Sequence, residues 1–128
     1  MMQVLAVHGW AGQSGTWSHW RQRFEDGGAK WSSADQGYSG GETVAPAWPP
    51  GPGRNLLIAH SLGLHLLPAA LLAQADAVVL LGSFSAFVPQ GPAGRAVAAA
   101  LKGMQAALGT DQELTMLERF LDLSLIHI

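Results

Sequence analysis

Three short apolar runs, residues 4–7, 55–59 and 77–81, constrain the fold more than any other feature of this sequence. Each run is continuous rather than alternating with polar residues, which is typical of a strand covered on both faces of a parallel sheet. Helical or glycine-rich segments separate the runs, and residues 29–34 form a weaker strand candidate. The order of these segments predicts an α/β fold built on a parallel sheet.

The connections between the strands differ in kind. Residues 14–24 are predicted to be helical, with Ser14 as the N-cap and aromatic side chains on one face. Residues 42–53 contain four prolines and two glycines, which excludes an ordinary helix. Residues 62–73 have a helical pattern, and we expect Pro68 to bend that helix.

A change in pattern follows the last strand candidate. Apolar residues recur at helical spacing after Pro89, and Gly109 supplies a stop for the first helix. The segment from Thr110 to Glu113 has the sequence of a capping box, which opens a second helix. We therefore predict a helical pair over residues 91–122.

The segment Ala-His-Ser-Leu-Gly at residues 59–63 joins a predicted buried strand to a predicted helix. This is the pattern of a nucleophile elbow, with alanine in place of its first glycine. Small residues are required at both ends because a tight strand-to-helix turn brings them against neighbouring backbone. Ser61 is predicted to be a catalytic nucleophile at the N-terminus of a helix whose dipole favours negative charge. The alternative is a structural serine that caps the helix.

A second segment, His8-Gly9-Trp10, follows the first predicted strand. An enzyme that transfers acyl groups needs two backbone N–H groups directed at the oxyanion of its tetrahedral intermediate. One donor belongs to the residue after the nucleophile, which here is Leu62. The other comes from a loop after an early strand, where Trp10 lies. In the alternative interpretation Gly9 only ends the strand and Trp10 belongs to the core.

Together these two segments resemble the α/β-hydrolase superfamily, and most closely the pimeloyl-acyl-carrier-protein methyl ester esterase group of biotin biosynthesis. Residues 80–87 and 117–121 are similar to that group's strand before the lid and to its lid helix. The resemblance implies an α/β-hydrolase core with a truncated parallel sheet over residues 1–90 and the start of a helical lid over residues 91–122. It also implies a serine carboxylic-ester hydrolase that forms an acyl-enzyme.

The rest of a catalytic triad is not apparent in the sequence. This fold places an acid and then a histidine after the serine, but none of the later acids follows a later core strand. We expect no catalytic role for His8, His19, His60 or His65. Residues 123–128, which include His127, resemble translated adapter sequence and are interpreted as a non-native tail. The chain is therefore interpreted as an N-terminal fragment that is inactive for want of an acid and a base.

Composition limits the remaining classes of function. The formal net charge of −2 provides no basic surface for nucleic acid or anionic membrane. The chain has no cysteine, no visible targeting segment and no uninterrupted apolar stretch long enough to span a membrane. We expect a cytoplasmic protein that uses no metal or cofactor and acts on a small-molecule or acyl-carrier-linked ester.

Two other functions remain open at this point. The same fold supports carbon–carbon hydrolases and lyases, in which the serine acts as a base. A non-catalytic α/β binding module would use Ser61 only as a helix cap. The sequence does not indicate the particular ester or the oligomeric state.

Overall fold

The computed structural model describes the backbone of residues 1–126 and the side chains of residues 1–123. Its centre is one sheet of four parallel strands in the order β2-β1-β3-β4. The strands are β1 (Met2–Val7), β2 (Lys30–Ser33), β3 (Arg54–His60) and β4 (Ala77–Leu81). The predicted α/β class, its parallel sheet and all four strand positions are confirmed.

Both faces of the sheet are covered near its centre, since alternate residues of β1 point to opposite sides. Val4 and Ala6 pack with Trp17, which lies in a short 3-10 turn (Ser14–Trp17) before helix α1 (Ser18–Asp26). On the other face, Leu5 and Val7 pack with residues of β3 and of the chain that follows it. This two-sided burial is the reason that the central strands have continuous apolar sequences.

The predicted N-cap role of Ser14 is wrong. The residue at the N-cap position of the 3-10 turn is Gln13, and no side chain caps that turn. Instead, the backbone N–H of Ser14 donates to Oδ2 of Asp35 at 2.8 Å. The charge on that carboxylate makes it a stronger acceptor than a neutral hydroxyl.

Pro68 interrupts the helix predicted over residues 62–73 instead of bending it. Two single turns result, α2 (Gly63–Leu66) and α3 (Ala69–Leu72). Leu67 is extended, with ψ of 132°, because the proline ring disfavours helical geometry in the residue before it. The break turns Leu67 into the core, where it is buried against the sheet.

The proline-rich segment, residues 42–53, contains no helix, as predicted. Trp48 covers part of the sheet in its place, and its Nε1 donates to the carbonyl of Leu71 in α3 at 3.2 Å. Lys30 Nζ also donates to the carbonyl of Pro50 at 2.8 Å. These contacts, together with the backbone hydrogen bonds between Val44 and Asp35, hold in place a connection that contains no helix.

The chain divides into two compact units, Met1–Ser83 and the residues from Phe84 onward. The second unit contains α4 (Pro92–Ala107) and α5 (Glu113–Ile126), so the predicted helical pair is confirmed. Gly109 has a positive φ of 74° after α4, as its predicted role as a stop requires. None of the described helices combines the length and the apolar character needed to cross a membrane.

Candidate active site

The turn from β3 into α2 is held in a strained conformation. Ser61 has φ of +51° there, and Ala11 is the other non-glycine residue with positive φ among residues 1–126. Such a conformation costs on the order of 1 kcal/mol or more and persists only where surrounding structure enforces it. Here the N–H of Ser61 donates to the carbonyl of Leu81 at 2.9 Å, and Ser83 Oγ donates to the carbonyl of Ser61 at 2.9 Å.

Packing explains why the residues at both ends of the segment 59–63 are small. Ala59 is fully buried in β3. A Cβ atom at Gly63 would lie 2.6 Å from the carbonyl oxygen of Val7 and 2.8 Å from that of His8. The first turn of α2 therefore packs directly on the backbone at the end of β1, and only glycine fits there.

Gly9 brings the end of β1 against the serine. A Cβ atom at Gly9 would lie 2.9 Å from Ser61 Cβ and 3.5 Å from Ser61 Oγ. The Gly9–Trp10 peptide thus begins beside the hydroxyl of Ser61, and Leu62 follows that serine in the chain. The three residues singled out from the sequence, Trp10, Ser61 and Leu62, lie at the same edge of the sheet and are half-buried.

The strand order of the sheet also reverses between β1 and β3. From β1 the chain moves to β2 on one side, and it later returns to β3 on the other side and continues to β4. In open parallel sheets, ligands bind beyond the carboxyl ends of the strands at such a reversal. The residues after β1 and β3, Gly9 and Ser61, flank this reversal.

A side-chain cluster behind the serine links three loops. His8 is buried, its Nδ1 lies 2.8 Å from the carbonyl oxygen of Gly9, and its Nε2 accepts the N–H of Gln36 at 3.1 Å. Asp35 accepts the N–H groups of Ser14 and Gly37, each at 2.8 Å. These two hydrogen bonds are the main reason that the pKa of Asp35 falls to about 2.

The other histidines are spread over different elements. Burial lowers the pKa of His60 below its ordinary value. His19 lies on α1. His65 is exposed on α2. His127 lies outside the described residues.

The expected contribution of a helix dipole needs correction. Because α2 is only four residues long, its aligned peptide dipoles are few, and the effect depends on a longer stack of them. Any stabilisation of negative charge at Ser61 must therefore come from individual N–H groups, which makes their direction important.

Sequence reasoning did not single out Asp35 or Ser83. Asp35 lies two residues after the end of β2 and Ser83 two residues after the end of β4, so both lie at the same sheet edge as Ser61. The shared carboxyl edge of parallel strands is the signal that could have drawn attention to them.

A cavity of about 490 Å³ lies elsewhere, on α1, and is lined by His19, Trp20, Arg23 and Phe24. It contains no nucleophile and is separate from the serine turn. Among the described residues, no group of three or more histidine, aspartate or glutamate side chains is arranged to hold a metal ion. Comparison with known proteins found no matching family model, no matching curated protein and no matching solved structure.

Proposed function

We propose that this chain carries the nucleophile of a serine carboxylic-ester hydrolase of the α/β-hydrolase superfamily. One observation carries the proposal: Ser61 has a positive φ in a strand-to-helix turn, with the Gly9–Trp10 peptide against its side chain. A nucleophile elbow holds its serine in such a strained turn so that the hydroxyl projects beyond the sheet. A purely structural serine has no need of this conformation.

In the proposed reaction, Ser61 Oγ attacks the ester carbonyl carbon and its proton passes to a general base. The carbonyl oxygen becomes an oxyanion that accepts hydrogen bonds from the N–H groups of Trp10 and Leu62. Loss of the alcohol leaves an acyl-enzyme on Ser61. Attack by water then releases the acid and regenerates the serine.

The general base is not His8, because both of its ring nitrogens are engaged, by the Gly9 carbonyl and by the Gln36 N–H. Between residues 62 and 126 the sequence has one histidine, His65, and it precedes every later acid. The order in this fold is serine, acid and then histidine. The proposal therefore requires an acid and a base from outside residues 1–126.

The proposed substrate is a small or acyl-chain ester, such as the methyl ester of pimeloyl-acyl-carrier protein, and the proposed location is the cytoplasm. The resemblance of residues 8–10 and 59–63 to that esterase group supports this choice. A carbon–carbon hydrolase or lyase would use the same serine turn and remains an alternative. A binding module in which Ser61 caps a helix is less well supported, because Leu62 occupies the N-cap position of α2 and no side chain caps it.

A fluorophosphonate probe tests the proposal. The serine oxygen displaces fluoride from phosphorus, and at about pH 9 hydroxide can take the serine proton without a protein base. We expect one phosphonyl group per chain, located on Ser61 by peptide mass spectrometry, and no labelling of Ser61→Ala. The exposed Ser39 provides a matched control, since Ser39→Ala should be labelled at the original rate.

Two results would contradict the proposal. One is labelling spread over several serines at similar rates. The other is a Ser61 rate no faster than that of the urea-unfolded chain. Turnover of a short-chain chromogenic ester is not expected from these 128 residues, and turnover abolished by Ser61→Ala would show that a histidine of this chain serves as the base.

A further inference from the structure

The peptide between Gly9 and Trp10 is held by its carbonyl group. The oxygen of Gly9 lies 2.8 Å from Nδ1 of His8 and accepts the N–H of Gly12 at 3.1 Å. A contact of 2.8 Å between a ring nitrogen and a carbonyl oxygen requires a proton between them, because two lone pairs would repel. His8 therefore donates from Nδ1.

The second nitrogen of His8 explains why the proton is on Nδ1. Nε2 accepts the N–H of Gln36 at 3.1 Å, so it carries a lone pair. Oδ1 of Asp35 is 3.7 Å from Nε2, which is too far for a hydrogen bond. The ring is 98% buried, so water does not compete for either nitrogen. Its hydrogen-bond partners thus select a single neutral tautomer.

The orientation of a carbonyl determines the orientation of the N–H group on the same peptide. A trans peptide is planar, and its C=O and N–H bonds point in opposite directions. The described residues contain no cis peptide. Because His8 and Gly12 both bind the Gly9 oxygen, the N–H of Trp10 must point away from them.

We propose that His8 is a positioning residue that locks the Gly9–Trp10 peptide with its N–H directed at the oxyanion of the substrate. This inference rests on the proposed function, since it assigns Trp10 the role of an oxyanion donor. Without the His8 donor, rotation of this peptide would turn the Gly9 carbonyl toward Ser61 and present a lone pair to the oxyanion. Asp35 supports the arrangement indirectly, because its carboxylate accepts the N–H of Gly37, the residue after Gln36.

Two substitutions at position 8 separate the two functions of the ring. His8→Asn places an amide NH₂ near the position of Nδ1 and keeps a donor for the Gly9 carbonyl. His8→Gln extends to the position of Nε2 and keeps an acceptor for Gln36, but it removes the donor to Gly9. Both replace a buried ring with a smaller amide, so their effects on the free energy of unfolding should be similar.

The rate of Ser61 phosphonylation at about pH 9 is the first measurement. We expect His8→Asn to remain within about threefold of the original chain and His8→Gln to be slower by about 100-fold, which is the effect of losing one oxyanion donor. Equal rates in the two variants would overturn the inference, because a role in folding alone does not distinguish them.

Nuclear magnetic resonance supplies a measurement that does not depend on catalysis. Residual dipolar couplings report the direction of the Trp10 N–H bond relative to β1. We expect this direction to be kept in His8→Asn and altered in His8→Gln. Long-range ¹H–¹⁵N spectra of the unsubstituted chain should show His8 protonated at Nδ1 only, and a proton on Nε2 would overturn the inference even if a variant failed to fold.

The two proposals fail in different ways. If Ser61 is not labelled in the original chain, the proposed function fails, whereas the couplings still test whether His8 fixes the peptide. If Ser61 is labelled and both position-8 variants retain the rate and the N–H direction, the inference about His8 fails alone.

Discussion

Strands β1 and β4 have similar apolar sequences but very different surroundings. The β1 residues from Val4 to Val7 are at most 1% exposed. In β4, Val78 is 43% exposed and Leu80 is 50% exposed. β1 is paired on each side and packed on both faces of the sheet, whereas β4 is paired only with β3 and contributes Leu81 to the packed clusters.

An apolar sequence therefore predicts that a segment forms a strand more reliably than it predicts that the strand is buried. Centre and edge also contribute differently to the candidate site. The central strands β1 and β3 lead into Gly9 and Ser61, whereas β4 supplies the Leu81 carbonyl that holds the Ser61 backbone. The four predictions that follow test how far this division between centre and edge extends.

The largest difference in stability should appear when the same leucine-to-alanine substitution is made in a central strand and in an edge strand. Leu57→Ala in β3 removes a fully buried side chain and should lower the free energy of unfolding by about 2–5 kcal/mol. Leu80→Ala in β4 should lower it by less than about 1 kcal/mol, because that side chain is already half exposed. Urea unfolding followed by circular dichroism measures both, and equal losses would show that β4 is buried in solution.

The packing of α2 on the end of β1 predicts the next effect. Gly63→Ala introduces a methyl group against two backbone carbonyls and should cost about 1–3 kcal/mol, as overpacking does. Gly41→Ala is the matched control, since a Cβ atom there meets nothing within 4 Å. Thermal unfolding of the two variants compares them, and an unchanged Gly63→Ala protein would mean that α2 can move away from β1.

The third prediction tests whether the negative charge of Asp35 stabilises the loop that follows β2, the other edge strand. The pKa of Asp35 is lowered from 3.8 to about 2 by the N–H groups of Ser14 and Gly37. A pKa that is lower in the folded chain stabilises the fold above pH 4, and this contribution is lost as the pH falls toward 2. Asp35→Asn should cost about 1–2 kcal/mol at pH 7 and almost nothing at pH 2.

Urea titrations at several pH values supply the test. The stability difference between the original chain and Asp35→Asn should shrink between about pH 4 and pH 2. A difference that stays constant over this range would mean that the carboxylate does not act through its charge.

The last substitution should have the smallest effect on the free energy of unfolding and a clear effect on self-association of the chain. Val78→Lys places a charge on the exposed edge strand and should change the free energy of unfolding by no more than about 0.5 kcal/mol. It should also slow self-association, since exposed apolar edge strands pair readily and lysine discourages this pairing. Light scattering against concentration measures association, and identical curves would indicate that β4 is not the associating edge.

The sheet could be predicted from the sequence because three of its four strands, β1, β3 and β4, are local apolar runs with their own boundaries. The single helix predicted over residues 62–73 was less accurate, because Pro68 was assigned a bend where the structure has two separate turns. The exposure of β4 could not be predicted, since it depends on the strand order and not on the residues of β4.

The candidate site was predictable only in part. The residues around Ser61 form a contiguous pattern, so its turn could be anticipated. The role inferred for His8 depends on contacts with Gly9 and with Gln36, which lies 28 positions along the chain. The partner of Nε2 is not encoded in a local pattern, and the same holds for Ser14, whose predicted role as a cap is wrong because its N–H binds Asp35, 21 positions along the chain.

The register of β1 has a consequence for how the chain reaches its fold. Val4 pairs with Trp31 on one side and with Leu56 on the other, so β1 cannot complete its pairing until more than fifty further residues have left the ribosome. Pairing between such distant segments requires the closure of long loops before any contact compensates for the lost entropy, which makes folding slow. During that interval the apolar strand that precedes Gly9 is unprotected, and a chaperone that binds extended apolar segments would find a target there.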